Sequence, residues 1–228
     1  MRAILLGSRE LAPGTRHFEF EVEGQTSLRF QPGQFISLKH PFDGKEMTRA
    51  YSLASPPDGN RFALCLNLVP NGHFSHYLFE LAPGSAIEMT EPLGYFTLRN
   101  PQRDALFIAT GTGIAPFRSM LLHHLEHSQQ KITLLFGCRY PYSVLYREEL
   151  VELAGTHPNF TLIETVTRPE QGWLGRTGRV QSHLDEALAG RTDVDVYICG
   201  LKEMVDEVRA LLKQRGFDRK QIIYEKYD

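Results

Sequence analysis

Two short stretches hold the residue types best suited to chemistry, and both suit phosphate groups. Arg49-Ala50-Tyr51-Ser52 sets a permanent planar cation, a broad ring and a hydroxyl within four residues, at the end of what reads as an apolar strand. A guanidinium fork is the better choice for gripping a pyrophosphate. Tyr51 offers a face for stacking, and the Ser52 hydroxyl can follow the change in protonation of a redox-active ring edge. That combination suits a flavin. Gly111-Thr112-Gly113-Ile114-Ala115-Pro116 reads as a glycine turn between a strand and a helix, which suits a dinucleotide pyrophosphate. Gly111 and Gly113 allow the tight turn, and Pro116 costs nothing in a first helical turn, where its missing N–H has no partner to lose. Two nucleotide sites in one short chain point to electrons passing between two bound cofactors.

A second anion cradle is expected at Asn71-Gly72-His73-Phe74-Ser75, where Gly72 allows close backbone approach and the N–H groups of His73, Phe74 and Ser75 open a helix. Cys199 precedes Gly200 at the end of a strand. By residue type it is either a small buried hydrophobe or a group at the cofactor edge of a sheet. Glu225 is either an acidic neighbour of that place or a solvated charge on a terminal strand. Arg139 follows the second strand of the C-terminal half, Arg168 the third, and Arg179 lies in Thr177-Gly178-Arg179-Val180. Each alone is ordinary surface charge. Together they favour NADPH over NADH, because a 2′-phosphate dianion needs cations nearby.

Other constellations are set aside. His123 and His127 fall one turn apart on a presumed helix, but no third metal ligand accompanies them, and a solvated helix face is expected. Trp173 reads as a packing anchor near the arginines. No metal site is expected.

These groups need elements to hold them. Phe18, Phe20 and Val22 alternate with His17, Glu19, Glu21 and Glu23, a half-buried strand with a wet face. Phe62, Leu64, Leu66 and Leu68 alternate in the same way with Ala63, Cys65 and Asn67. Apolar runs at 35–38 and 87–89 follow the turn residues Pro32-Gly33 and Pro83-Gly84. With one helix at Ser75–Leu81, this half reads as a closed antiparallel barrel. Beyond Asn100-Pro101 apolar strands at 105–110, 132–137, 160–166, 194–199 and 221–225 alternate with helices. The clearest helix spans 201–215, with Leu201, Met204, Val205, Val208, Leu211 and Leu212 in one stripe. Such alternation implies an α/β domain with a five-stranded parallel sheet, whose ligands gather at the carboxyl ends of the strands. The expected domains are 1–100 and 101–228.

Composition bounds the partners. The 228 residues are 42% hydrophobic and 23% charged, with a formal net charge of −2. Each half is close to neutral, which argues against nucleic acid as main partner. Three widely spaced cysteines form neither a disulfide framework nor a zinc or iron–sulfur pattern. No segment suits a signal peptide or a bilayer span. A cytoplasmic protein without membrane insertion is expected, working as a monomer.

Six motifs then fall in register with a known family. Gln31-Pro32-Gly33-Gln34-Phe35, Arg49-Ala50-Tyr51-Ser52, Pro92-Leu93-Gly94, Gly111-Thr112-Gly113-Ile114-Ala115-Pro116, Cys199-Gly200 and Tyr224-Glu225-Lys226-Tyr227 occur in its order. The chain resembles the ferredoxin–NADP⁺ reductase family over almost its whole length. Pro116 stands where the dinucleotide fingerprint has its third glycine, a departure that agrees with this resemblance. The resemblance implies a six-stranded barrel binding FAD, with Arg49 and His73–Ser75 on its phosphates and Tyr51 and Ser52 at the isoalloxazine. It implies Thr112 near flavin and nicotinamide, and Cys199 and Glu225 beside the nicotinamide. Tyr227 would cover the flavin face, although Asp228 follows it where plant-type relatives end on the aromatic. The implied activity passes electrons between NADPH and a separate one-electron carrier, ferredoxin or flavodoxin. Two alternatives stay open: a reductase serving an oxygenase or free flavin, and a flavin-binding electron-transfer subunit without hydride chemistry of its own.

Overall fold

Alternating apolar residues in the first half form one six-stranded antiparallel sheet in the computed structural model, which describes residues 1–99 and 103–227. The strands are β1 (Arg2–Ala12), β2 (Thr15–Val22), β3 (Phe35–Phe42), β4 (Lys45–Ser52), β5 (Arg61–Asn67) and β6 (Ala86–Met89). Their order is β4-β3-β6-β1-β2-β5. The sheet curls until the chain just past β4 meets β5, where Leu53 bridges Leu64 and the Ala54 N–H donates to the Ala63 carbonyl at 2.8 Å. That closes the barrel at one level. Elsewhere β4 pairs with β3 alone. Helix α1 (His73–Glu80) buries Phe74 and Leu78 in the same core as Phe18, Phe20, Ile36, Leu38 and Leu64.

The chain divides into two compact units, Met1–Thr97 with Ala115–His123, and Leu98–Ile114 with His124–Asp228. Helix α2 (Ile114–His124) thus lies mostly in the first unit, although the sequence places it in the second half. Its side chains explain this: Arg118 donates to the Ala54 carbonyl at 2.6 Å, the Ser119 hydroxyl donates to that of Ser55 at 2.6 Å, and Phe117 packs edge-on against Phe96.

In the second unit β7 (Ala105–Thr110), β8 (Ile132–Cys138), β9 (Phe160–Val166), β10 (Arg176–Thr177), β11 (Asp195–Leu201) and β12 (Ile222–Tyr227) form a parallel sheet in the order β10-β9-β8-β7-β11-β12. The five expected strands are present, and β10 is a two-residue addition at the edge. Helices α3 (Arg147–Thr156), α4 (Leu184–Leu188) and α5 (Lys202–Gln214) complete the unit. Helix α5 buries Met204, Val205, Val208 and Leu212 against Ile108, Val196 and Ile198. Leu201, counted in its stripe, instead ends β11 and is 64% exposed.

Three further readings need correction. His17 is buried, although the alternation put it on a wet face, and so are Ala63 and Cys65. The segment Leu53–Ser55 runs along β5 at Ala63, accepting the Ala63 N–H on the Ser55 hydroxyl at 2.9 Å. Helix α2 ends at His124, so His127 is not one helical turn from His123. No cluster of metal-ligating side chains occurs among the described residues. The expected boundary at Asn100-Pro101 and the terminal Asp228 lie outside the described residues.

Candidate cofactor-binding sites

The flavin-side residues collect in the first unit. Strand β4 is mostly exposed and polar, not apolar as read from sequence, because only its β3 side is paired. Opposite its residues stand Leu38 (to Arg49), Ser37 (to Ala50), Ile36 (to Tyr51) and Phe35 (to Ser52). Side chains two apart share a face of a strand, so Arg49 and Tyr51 project together. Arg49 is exposed and donates to the Thr48 carbonyl at 2.9 Å. Tyr51 is half-buried, and burial pushes its phenol up to about 12, with Arg49 pulling the other way. It therefore stays a neutral stacking face and hydrogen-bond donor. Ser52 is 5% exposed.

The second cradle arrives from 20 residues further on. The Tyr51 and Phe74 rings lie 6.3 Å apart, which ties the start of α1 to the middle of the Arg49–Ser52 stretch. Gly72 precedes the helix without a side-chain cap, and no acidic residue occupies the first turn. The uncapped N–H groups at His73, Phe74 and Ser75 carry the positive end of the helix dipole. The Ser75 hydroxyl is committed elsewhere, donating to the Gly72 carbonyl at 3.1 Å and accepting the Val69 N–H at 3.0 Å. The side chain thus braces the loop, and only the backbone N–H is left to offer an anion. Gly72 is needed because a Cβ there would sit 2.9 Å from the Val69 Cβ. A cation, an aromatic face and an uncapped helix start fit a flavin carrying a pyrophosphate.

The dinucleotide-side residues collect at the carboxyl ends of the second sheet. Gly111–Gly113 form one 3-10 turn directly after β7, and the Gly111 amide hydrogen-bonds the Cys138 thiol. A Cβ on Gly113 would stand 2.3 Å from the Cys199 carbonyl oxygen. Gly200, at φ +152°, would clash likewise with the Thr110 hydroxyl. The two glycines let the turn after β7 close against the end of β11. Thr110 Oγ1, which the sequence reading passed over, is buried there with no partner among the described residues. An orphaned hydroxyl beside a glycine turn fits a ligand rich in acceptors.

Cys199 is wholly buried, with Ala109 beside it on one strand and Glu225 on the other. Burial first, and the nearby Glu225 charge second, hold its thiol well above the usual range, while a hydrogen bond with Tyr227 opposes them. Cys199, Glu225 and Tyr227 therefore form one group. β11 runs two residues past the expected end at Cys199.

Arg139, Arg168 and Arg179 follow β8, β9 and β10, which are neighbours in the sheet. The Arg168 N–H donates to the Arg139 carbonyl at 2.8 Å, and the Gly178 N–H donates to the Val166 carbonyl at 2.9 Å, so backbone bonds hold the three segments side by side. All three arginines are exposed. Arg179 stands 3.9 Å from Glu207. Arg168 donates to the Tyr140 hydroxyl at 3.1 Å, and Tyr140 stacks on Tyr142 with 5.0 Å between ring centroids. The tyrosines were missed, although Arg139-Tyr140-Pro141-Tyr142 is the signal that would have shown them. Trp173 donates its indole N–H to the Arg176 carbonyl and lies under Arg147, a packing role as expected.

Two family models match the chain. Residues 3–98 match the oxidoreductase FAD-binding domain, and residues 107–210 match the oxidoreductase NAD-binding domain. Over 99% of its length the chain is 40% identical to ferredoxin--NADP reductase B of Sorangium cellulosum (strain So ce56), of which it covers 97%. It is 29% identical to the toluate 1,2-dioxygenase electron transfer component of Pseudomonas putida, over 99% of this chain and 67% of that one. The crystal structure of Amycolatopsis cytochrome P450 reductase GcoB matches it with a TM-score of 0.88 at 27% identity, over 99% of this chain and 69% of that one. An FAD-binding barrel followed by a nicotinamide-dinucleotide-binding sheet, with a curated relative alike from end to end, places the chain in the ferredoxin–NADP reductase family of flavoenzymes.

Proposed function

We propose that this reductase takes reducing equivalents from NADPH and passes them to a one-electron carrier protein such as a ferredoxin or flavodoxin. When bound, FAD supplies the redox chemistry, accepting two electrons with a hydride and releasing electrons singly. The chain holds and orients. Arg49 and the N–H groups of His73, Phe74 and Ser75 take the FAD pyrophosphate, with the exposed backbone edge at Ala50 beside them. Tyr51 backs the isoalloxazine, and Ser52 hydrogen-bonds its redox-active edge. Gly111, Thr112 and Gly113 receive the nicotinamide dinucleotide. Cys199 positions the nicotinamide ring; a thiol held protonated by burial is a packing surface and not a nucleophile. Glu225 sets the local charge, and Tyr227 must yield its place beside Cys199 to the ring.

The choice of NADPH rests on one observation, three exposed arginines at the carboxyl ends of three consecutive strands. A 2′-phosphate dianion repays that concentration of positive charge, and a free 2′-hydroxyl does not. Three buried free thiols suit a reducing compartment, and we place the reaction in the cytoplasm.

A second reading, reductase to an oxygenase, is supported by the kinship with the toluate dioxygenase component. Stopped-flow mixing of NADPH-reduced protein with ferredoxin, flavodoxin, an oxygenase component and free flavin separates them. Fast reoxidation by ferredoxin or flavodoxin is expected. Reoxidation by the oxygenase component alone, or by free flavin alone, would overturn the choice of acceptor.

A further inference from the structure

Between Arg168 and Arg176 the chain forms neither helix nor strand. Every residue from 167 to 175 is exposed except Trp173, and Leu174 beside it is 99% exposed. Between this loop, β9 and the start of α3 lies a cavity of about 410 Å³, with Arg147, Leu162, Glu164 and Trp173 among its walls. The loop therefore spans open space instead of resting on packed side chains. One ring anchors it.

That ring is fastened from several sides. The indole N–H of Trp173 donates to the Arg176 carbonyl at 3.0 Å, and its backbone N–H donates to the Glu170 carbonyl at 3.1 Å. The ring packs so closely on Gly175 that a Cβ there would overlap it. The Arg147 guanidinium lies 5.8 Å from the ring centre, and Arg147 is itself held by Glu164, to which its Nε donates at 3.2 Å. Arg176 in turn pairs with Glu186 of α4. Through these bonds the indole ties the loop to α3, β9, β10 and α4.

Arg168 opens this loop and Arg179 follows β10, so the two arginines stand on either side of the anchor. Both are exposed. A flexible cation loses part of its binding energy to being ordered, and one held beforehand does not. We propose that Trp173 is a positioning residue for the choice of NADPH over NADH, holding Arg168 and Arg179 where a 2′-phosphate meets them. This rests on the proposed use of NADPH. Without the indole the loop samples other arrangements over the cavity, and affinity for the 2′-phosphate falls by the fraction of time the arginines stay in place. The rest of the dinucleotide is received at Gly111–Gly113 and Cys199 and is indifferent to the loop.

The test is calorimetric titration of the full-length holoprotein with 2′,5′-ADP and with 5′-ADP, which differ only in the 2′-phosphate and undergo no turnover. Wild type is expected to bind 2′,5′-ADP about tenfold or more tightly than 5′-ADP. Trp173→Ala should weaken 2′,5′-ADP by about tenfold while 5′-ADP stays within about twofold of wild type. Trp173→Phe, which keeps a ring and loses only the indole hydrogen bond, should fall between the two. In steady-state kinetics Trp173→Ala should raise the KM for NADPH and leave kcat unchanged. Equal weakening of both ligands, or a wild-type ratio retained in Trp173→Ala, overturns the role of Trp173 and leaves the NADPH reading standing. A wild type that does not distinguish the two ligands overturns both. Should Trp173→Ala fail to fold, Trp173→Phe decides, and a ratio equal to that of wild type overturns the proposal.

Discussion

Arg168 gives the proposed preference for NADPH its most direct test. Its guanidinium is exposed, joined to Arg139 through the backbone and to Tyr140 through its side chain. One hydrogen bond to a charged group is worth about 1.5–3 kcal/mol. Arg168→Ala should therefore raise the KM for NADPH by roughly ten- to a hundredfold, with the KM for NADH little changed; steady-state kinetics with both donors decides it. Cys199 supports a second expectation. Because burial keeps its thiol protonated, alkylating reagents should spare it in the folded protein at neutral pH. Cys199→Ala should lower kcat for hydride transfer while leaving the FAD content per chain unchanged, and loss of FAD on that substitution would contradict its place in the second unit. At this scale the sequence was legible where a turn leaves a residue one use, as for Gly113, whose missing Cβ makes room for the Cys199 carbonyl. It was illegible where contacts decide. Nothing in Ser75 announces that its hydroxyl braces the Val69–Gly72 loop, and nothing in Tyr227 announces its hydrogen bond with Cys199.

Elements position these residues through close backbone approach. The turn Gly111–Gly113 nests on the end of β11 only because Gly113 lacks a Cβ. Gly113→Ala forces backbone apart, and overpacking of this kind costs about 1–3 kcal/mol. A lower Tm and weaker NADPH binding are expected together, and a thermal melt with a binding titration checks both. An unchanged Tm would mean that the contact with the Cys199 carbonyl does not restrain the turn. Period-two and helical patterns located four of the barrel strands, all five long strands of the second sheet, and α5. They failed where the partner of a strand sets its burial. Polar β4 is a strand because β3 pairs with it residue by residue, from Phe35↔Ser52 to Phe42↔Lys45. Two-residue β10 is too short for any periodicity, and it exists because Arg176 and Thr177 pair with Thr165 and Val166. Helix α2 follows a strand of the second unit but spends its side chains on Ala54, Ser55 and Phe96, a commitment visible only in three dimensions.

Across the whole molecule, stability carries a signature of one buried histidine. Burial, then the charges of Arg118 and Arg9, push His17 down from 6.5 to about 4. The folded state holds it neutral, whereas the unfolded chain takes up a proton near 6.5. Its contribution is complete above about pH 6.5 and is lost as the pH falls toward 4, amounting to on the order of 3 kcal/mol. Denaturation midpoints between pH 7 and 4 should drop more steeply for wild type than for His17→Gln, and parallel curves would contradict this assignment. The change from an antiparallel to a parallel sheet was legible because the hydrophobic period itself changes, from two to an alternation of strand and helix. The central claim is that one polypeptide both holds FAD and reduces it with NADPH. The most direct measurement is the anaerobic addition of one equivalent of NADPH to the purified yellow protein with no partner present. Prompt bleaching of the flavin absorbance is the predicted result, and colour that persists after NADPH and NADH alike would contradict the account.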